Sequence, residues 1–234
     1  MTDAAYPMRI NKYLALKQYC TRREADALIV ARKVLINGKL ATLGDKVRES
    51  DTVQVNFRPR KFRYYAYHKP RGVITHSPQE GEDEIMTSIP LEGVFPIGRL
   101  DKDSYGLIIL TDDGRITDAL LNPDRAHEKE YEVSTRDALP PSFKAKMEAG
   151  VDIGGYRTRP CTVRILGSRK FSITLTEGKK HQIRRMCGAF GQSAVQLKRT
   201  RVMNVSLGSL KPNEFRPIEG AELASFLKLL GIRR

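Results

Sequence analysis

Tryptophan is absent from the 234 residues, and cysteine occurs only at Cys20, Cys161 and Cys187. Three scattered thiols supply neither a disulfide framework nor a CxxC metal knuckle, and a reducing cytoplasm is expected. No run of 18 apolar residues occurs, which excludes a membrane span by this criterion. The first 13 residues lack the charged start and apolar stretch of a secretory signal. Walker A, GxSxG, HExxH and GxGxxG patterns are all missing, which argues against NTPase, serine hydrolase, zincin and dinucleotide chemistry. No metal and no organic cofactor is therefore expected. Acid is also scarce relative to base: 27 Asp and Glu face 41 Lys and Arg, a formal charge of +14. An excess of that size is the footprint of a protein that meets a polyanion, nucleic acid being the commonest.

What is present divides at a basic stretch, Asn56–Arg63, which reads as a linker. Before it, Ile10, Tyr13 and Leu14 have helical spacing. Thr21-Arg22-Arg23-Glu24 is a capping box for a second helix, whose face continues through Ala25, Leu28, Ile29 and Arg32. Asn37-Gly38 between two apolar runs predicts a hairpin with a type I′ turn, and Thr52–Val55 alternates as a strand. A module under 60 residues buries only a modest core and reads as an accessory. Arg9, Lys12, Arg22 and Arg23 gather around its two helix starts, where positive side chains oppose the helix dipole and a phosphate would relieve them.

After the linker the pattern is strand-rich. Tyr64–Lys69, Leu107–Leu110, Lys129–Val133, Arg157–Val163 and Phe171–Leu175 read as strands, while Ile116–Leu121, Ser142–Met147 and His181–Phe190 read as helices. The fold expected is α+β, with a mixed, mostly antiparallel sheet.

Three segments could carry chemistry. Asp101 lies in a polar loop between apolar strands, flanked by Arg99 and Lys102; on residue type alone it is a turn residue. With Asp103, Asp112 and Asp113 it also makes a carboxylate-rich stretch that could hold a metal, although no EF-hand spacing is present. Lys129 and Tyr131 stand two residues apart, hence on one face of a strand, where Tyr131 is either core or a platform for stacking and proton transfer. Glu177-Gly178-Lys179-Lys180-His181-Gln182 precedes Ile183-Arg184-Arg185-Met186, a Gly beside basic residues at a helix start. Arg184 and Arg185 differ by about 100° around the helix axis, so one can turn inward, where it needs a carboxylate, with Asp101 the candidate. His181 is either structural or an acid–base group.

The segment 8–55 resembles the S4-type RNA-binding domain, through Arg9-Ile10-Asn11-Lys12-Tyr13-Leu14, Thr21-Arg22-Arg23-Glu24-Ala25-Asp26 and Ile36-Asn37-Gly38-Lys39 followed by Gly44-Asp45-Lys46-Val47. That resemblance implies binding of structured RNA through Arg9, Lys12, Arg22 and Arg23. Gly98-Arg99-Leu100-Asp101, with Asp103-Ser104 and Gly106-Leu107, then Lys129 and Tyr131, then Glu177-Gly178 with Gln182–Met186, resemble the signatures of the RsuA-type pseudouridine synthases. Arg199-Thr200-Arg201-Val202-Met203-Asn204-Val205 places the likeness nearest the subgroup acting on large-subunit ribosomal RNA. The resemblance implies a small S4-like α/β domain (8–55), a basic linker (56–63) and a catalytic domain (64–234). It makes Asp101 the nucleophile, Arg184 its partner and Tyr131 the residue that stacks on the base and moves the carbon-5 proton. Arg99 would fill the space of the flipped nucleotide, and Lys102, Lys129, Lys180, His181, Gln182 and Arg185 would complete the RNA contacts. The expected substrate is structured RNA, 23S ribosomal RNA first and transfer RNA as the alternative, and the expected state is a monomer without a membrane. A non-catalytic RNA-binding assembly factor and a metal-dependent RNA-processing enzyme are the rival readings.

Overall fold

The computed structural model describes residues 6–17, 19–56, 61–77 and 83–232. β1 (Met8–Arg9) runs into α1 (Ile10–Leu16), which buries Ile10 and Leu14 one turn apart. α2 (Arg22–Val30) begins at the capping box read from sequence: Glu24 N–H donates to Thr21 Oγ1 at 3.2 Å and Thr21 N–H to Glu24 Oε2 at 2.8 Å. Arg32 does not continue the helical face. Its φ of +58° places it just past the helix, where its own N–H reaches the Ile29 carbonyl and Lys33 N–H reaches that of Leu28, a Schellman ending. β2 (Val34–Ile36) and β3 (Lys39–Leu40) form the expected hairpin, with Asn37 and Gly38 at φ +51° and +79°. β4 (Lys46–Val47) pairs with β1 and β5 (Val53–Val55) with β2, closing a small core of Ile10, Leu14, Ala25, Ile29, Val34 and Val47.

The connecting stretch is anchored at both described ends, whereas the sequence suggested no packing residues there. Asn56 N–H donates to the Lys33 carbonyl on one side. On the other, Phe62 packs on the second core beneath the Arg115 guanidinium, 4.5 Å from the ring centroid, and Arg63 donates to both oxygens of Asp112 at 2.8 and 3.1 Å. Phe57–Arg60 lie outside the described residues.

The larger part consists of β6 (Tyr64–Lys69), α3 (Ile85–Ser88), β7 (Phe95–Ile97), β8 (Tyr105–Thr111), α4 (Arg115–Leu121), β9 (Lys129–Thr135), α5 (Phe143–Glu148), β10 (Thr162–Gly167), β11 (Lys170–Leu175), α6 (Gln182–Gly188), β12 (Ala194–Val202), β13 (Val205–Ser206), β14 (Phe215–Pro217) and α7 (Gly220–Leu229). Its nine-stranded sheet has the order β10-β11-β9-β12-β8-β6-β14, with β13 on β12 and β7 on β8. All pairings are antiparallel except β8 with β12, so the α+β class and the mixed, mostly antiparallel sheet are as expected. The strand read over Arg157–Val163 forms only from Thr162. Upstream, Thr158 N–H is bonded to Val151 and Arg159 N–H to the Glu177 carboxylate, and Pro160 has no N–H for a ladder.

β8 is apolar from Leu107 to Leu110 because it is covered there on both faces. Leu107 and Ile109 join Tyr64, Ala66, Ile116, Leu120 and Phe226 under α4 and α7, while Ile108 and Leu110 join Tyr67, Ile85 and Val94 on the reverse. The far half of the sheet packs Val133, Phe171, Ile173 and Leu197 against α5 and α6 through Phe143, Met147, Ile183 and Met186. The two halves are joined through β8 and β12, where Lys198 and Arg199 register with Tyr105 and Gly106. A Cβ on Gly106, at φ +108°, would stand 2.3 Å from the Arg199 carbonyl oxygen. Gly106→Ala is therefore expected to lose about 3 kcal/mol or more in urea denaturation, from overlap and from a backbone angle closed to alanine. Gly167→Ala, where a Cβ meets open space, is expected to stay within about 1 kcal/mol of the parent.

Candidate active site

Where the two halves of the sheet meet, one face opens into a cleft of about 870 Å³. Ile109, Leu120 and Val202 wall it from one core and Leu175, Ile183 and Leu197 from the other. Asp101 enters it from the loop between β7 and β8. That loop is held almost wholly through its backbone. Thr75 Oγ1, buried, donates to the Leu100 carbonyl at 2.8 Å and accepts the Leu100 N–H at 3.0 Å. Gly72 N–H donates to the Lys102 carbonyl at 2.8 Å and Ser104 N–H to the Asp101 carbonyl at 3.0 Å. The Asp101 carboxylate is left accessible, its side chain 40% exposed, with His181 Nε2 3.6 Å from Oδ1.

Lys69, at the end of β6, is fully buried beside this loop and donates to the carbonyls of Pro70 and Val73 at 2.8 and 2.6 Å. Burial pushes its pKa down to about 8; the charges of Asp101 and Asp103 oppose the fall and that of Arg199 adds to it.

The opposite wall comes from β9 and β12. Lys129 and Tyr131 share a face of β9, as the two-residue spacing predicts, and both line the cleft. Arg199 is directly opposite Tyr131 in the register of β12. Above them, the loop before α6 is pinned by Glu177. This carboxylate, 4% exposed, accepts from Tyr156 Oη at 2.6 Å, Arg159 N–H at 2.9 Å and Gln182 Nε2 at 2.8 Å. Gln182 Oε1 in turn accepts the Lys179 N–H at 2.8 Å. Between them His181 takes a left-handed φ of +52°, which brings its ring over the cleft.

Of the residues singled out from sequence, Arg99, Asp101, Lys129, Tyr131, Lys180, His181 and Gln182 come together here. Gln182 is buried and its amide serves Glu177 and Lys179, so it shapes the loop; as an RNA contact it is poorly placed. Arg184 does turn inward, but the expected pair with Asp101 is not made. Its guanidinium donates to the carbonyls of Ala194 at 2.6 Å and Asp103 at 3.3 Å, so it grips the back of the Asp101 loop and leaves the carboxylate alone. Arg185 and Lys102 are exposed outside the cleft, and Arg9, Lys12, Arg22 and Arg23 are exposed on the small module. The metal reading loses two of its four carboxylates: Asp112 is bound to Arg63, and Asp113 accepts from Tyr64 and a bidentate Arg115. Among the described residues no group of three or more metal-ligating side chains converges, and no helix is long and apolar enough to cross a membrane.

Sequence reasoning assigned no role to Lys69, Ser104, Glu177 or Arg199. Ser104 is fully buried, faces the cleft and has a hydroxyl without a partner in the described structure. Arg199 was marked only as the head of the Arg199–Val205 motif; in the structure it follows the buried Leu197 by two residues on β12 and so belongs to the inner face.

The family model described as RNA pseudouridylate synthase matches residues 63–189, and that of the S4 domain matches residues 8–53. The chain is 41% identical over 230 residues to the dual-specificity RNA pseudouridine synthase RluF of Escherichia coli (strain K12), covering 95% of this chain and 79% of that one. It is 32% identical over 229 residues to ribosomal large subunit pseudouridine synthase B of Bacillus subtilis (strain 168), covering 92% and 93%. A crystal structure of a pseudouridylate synthase superimposes with a TM-score of 0.68 at 27% identity, covering 95% of this chain and 99% of that one.

The buried Lys69 sets a pH test. Its native pKa, about 8, lies below the ordinary 10.5, so the unfolded chain binds the extra proton between those values and stability rises with pH across the window. The burial penalty is full below about pH 8. Urea denaturation of the parent and of Lys69→Met at pH 8 and pH 10.5 is expected to show the parent gaining relative to the variant; a difference independent of pH contradicts the assignment.

Proposed function

The chain belongs to the RNA pseudouridylate synthase family and isomerises uridine in RNA to pseudouridine, and on that premise we propose that Asp101 is its nucleophile, Tyr131 the stacking and proton-moving residue, and ribosomal RNA of the large subunit its substrate. The observation that carries the catalytic part is the placement of Asp101: an accessible carboxylate with only the His181 ring near an oxygen among the described residues, on a loop immobilised by Thr75, Gly72, Arg184 and Arg199. Such a group needs no reorganisation to attack, which is what preorganised catalysis requires.

The isomerisation breaks the bond from ribose carbon 1′ to N1 and remakes it to carbon 5, with no redox change and no net hydrolysis. It calls for a nucleophile, a proton acceptor and a pocket that retains the detached ring. The volume of the cleft suits a flipped nucleotide, and its apolar walls with Tyr131 beside them suit a stacked pyrimidine. In this reading Arg184 is a positioning residue acting through the Asp103 carbonyl, and Arg99 at the rim takes the place vacated by the flipped base. The S4 module supplies RNA affinity through Arg9, Lys12, Arg22 and Arg23, all exposed.

The ribosomal assignment is supported by the large-subunit name of the Bacillus relative, and the dual specificity in the name of the Escherichia relative favours transfer RNA as a second class. The enzyme is further proposed to act as a cytoplasmic monomer.

The test is release of tritium from carbon 5 of uridine in total RNA, with EDTA present, followed by mapping of the modified position. Asp101→Asn is expected to abolish release while RNA affinity changes less than about threefold; retained turnover defeats the nucleophile. Tyr131→Phe is expected to bind normally and to turn over about 10²-fold more slowly. An unchanged rate removes its proton-moving role.

A further inference from the structure

The floor of the cleft holds more positive charge than its carboxylates answer. Arg199 is 5% exposed and stands opposite Tyr131 in the β9–β12 ladder, so the two side chains leave the sheet on the same face. Its other neighbour in register is Gly106, whose missing side chain leaves room for the Arg199 backbone. Arg199 Nε donates to the Leu107 carbonyl at 2.7 Å and one terminal nitrogen to the Arg99 carbonyl at 3.5 Å. Among the described residues no carboxylate forms a salt bridge with it. Lys129 repeats the pattern on the same face: among the described residues its one hydrogen bond is to the His127 carbonyl at 3.3 Å. Burial lowers its pKa, and the charge of Arg199 lowers it further.

Carbonyls satisfy the N–H groups but do not neutralise two desolvated cations, and such a pair is costly unless an anion arrives. Two anions could come from RNA: a backbone phosphate, or the pyrimidine once charge has passed to it. Position favours the second. Arg199 and Lys129 lie at the depth of Tyr131, among Leu197, Ile109 and Val202, whereas the exposed Lys180 and His181 occupy the rim where a backbone would pass.

We propose that Arg199, assisted by Lys129, is an anion hole for the detached uracil, a catalytic role resting on the Asp101 reading. In that step an Asp101 oxygen bonds carbon 1′ as the bond to N1 breaks, and the N1 electron pair leaves with the ring as a uracil monoanion. The negative charge of the carboxylate has thereby moved onto the base, next to the two cations. When carbon 5 bonds carbon 1′, the carboxylate leaves with its own pair. The carbon-5 proton is taken by a base and one proton returns to N1, so charge and atoms balance. A group that meets charge only as it develops lowers the barrier without tightening the RNA complex.

The experiment compares the full-length parent with Arg199→Met, Arg199→Lys and Lys129→Met, measuring the single-turnover rate of tritium release and RNA affinity over a range of salt. Arg199→Met is expected to lose about 10²–10³ in rate, with affinity and salt slope unchanged, and Arg199→Lys to recover part of the loss. Weaker binding with a salt slope reduced by about one identifies a phosphate contact and overturns the proposal; so does an unimpaired rate. If Arg199→Met does not fold, Lys129→Met carries the same comparison. Full activity of Asp101→Asn defeats the reading beneath the proposal, whereas a dead Asp101→Asn beside an unimpaired Arg199→Met and Lys129→Met defeats the proposal alone.

Discussion

The approach of β8 to β12 at Gly106 is the constraint on which the rest depends. Only a residue without Cβ allows the backbone of Arg199 so close, and that single parallel contact joins the two halves of the sheet. It places the start of β8, and with it the Asp101 loop, directly beside β12. From that backbone position the Arg199 side chain reaches across β8, where its N–H groups hold the carbonyls of Leu107 and Arg99. One missing methyl group thus sets the sheet, the loop and the floor of the cleft together.

Around that point the site follows a division of labour between backbone and side chain. Thr75, Gly72 and Arg184 grip the Asp101 loop by its carbonyls and amides, and Glu177 grips the opposing loop through Tyr156, Arg159 and Gln182. Arg184 is occupied by backbone carbonyls, and the accessible Asp101 carboxylate meets only the His181 ring among the described residues. A stiff frame around an accessible carboxylate suits the role proposed for Asp101, which depends on geometry and local charge.

The small module meets the larger part at the turn before α4. A Cβ on Gly114 would come 2.6 Å from Thr21 Cγ2, so the residue that caps α2 also touches the catalytic part. The turn itself is stiffened by Asp113, which binds Tyr64 and Arg115, while Arg115 covers Phe62.

Local order was legible in the residues alone. The capping box at Thr21, the Asn37-Gly38 hairpin, the apolar Leu107–Leu110 run of β8 and the shared face of Lys129 and Tyr131 each follow from interactions within a few positions, which a sequence records directly. The motifs around Asp101, Tyr131 and Arg184 also placed the chain in its family before any coordinate was needed. The partners of charged side chains depend on distances between segments far apart in the chain, and these only packing supplies. Arg184 was assigned to Asp101 because both are charged and belong to the same motif set, yet the seating of α6 against β12 carries its guanidinium to the carbonyls of Ala194 and Asp103. Arg199 lay 98 residues from Asp101, marked only by the motif that it opens. The sequence by itself determined the locally encoded elements, such as the cap of α2, the Asn37-Gly38 hairpin and the apolar Leu107–Leu110 strand, and the family they compose; tertiary structure decided which charges meet and which remain unpaired, because a Coulomb interaction is fixed by separation and burial in space and by neither residue type nor order.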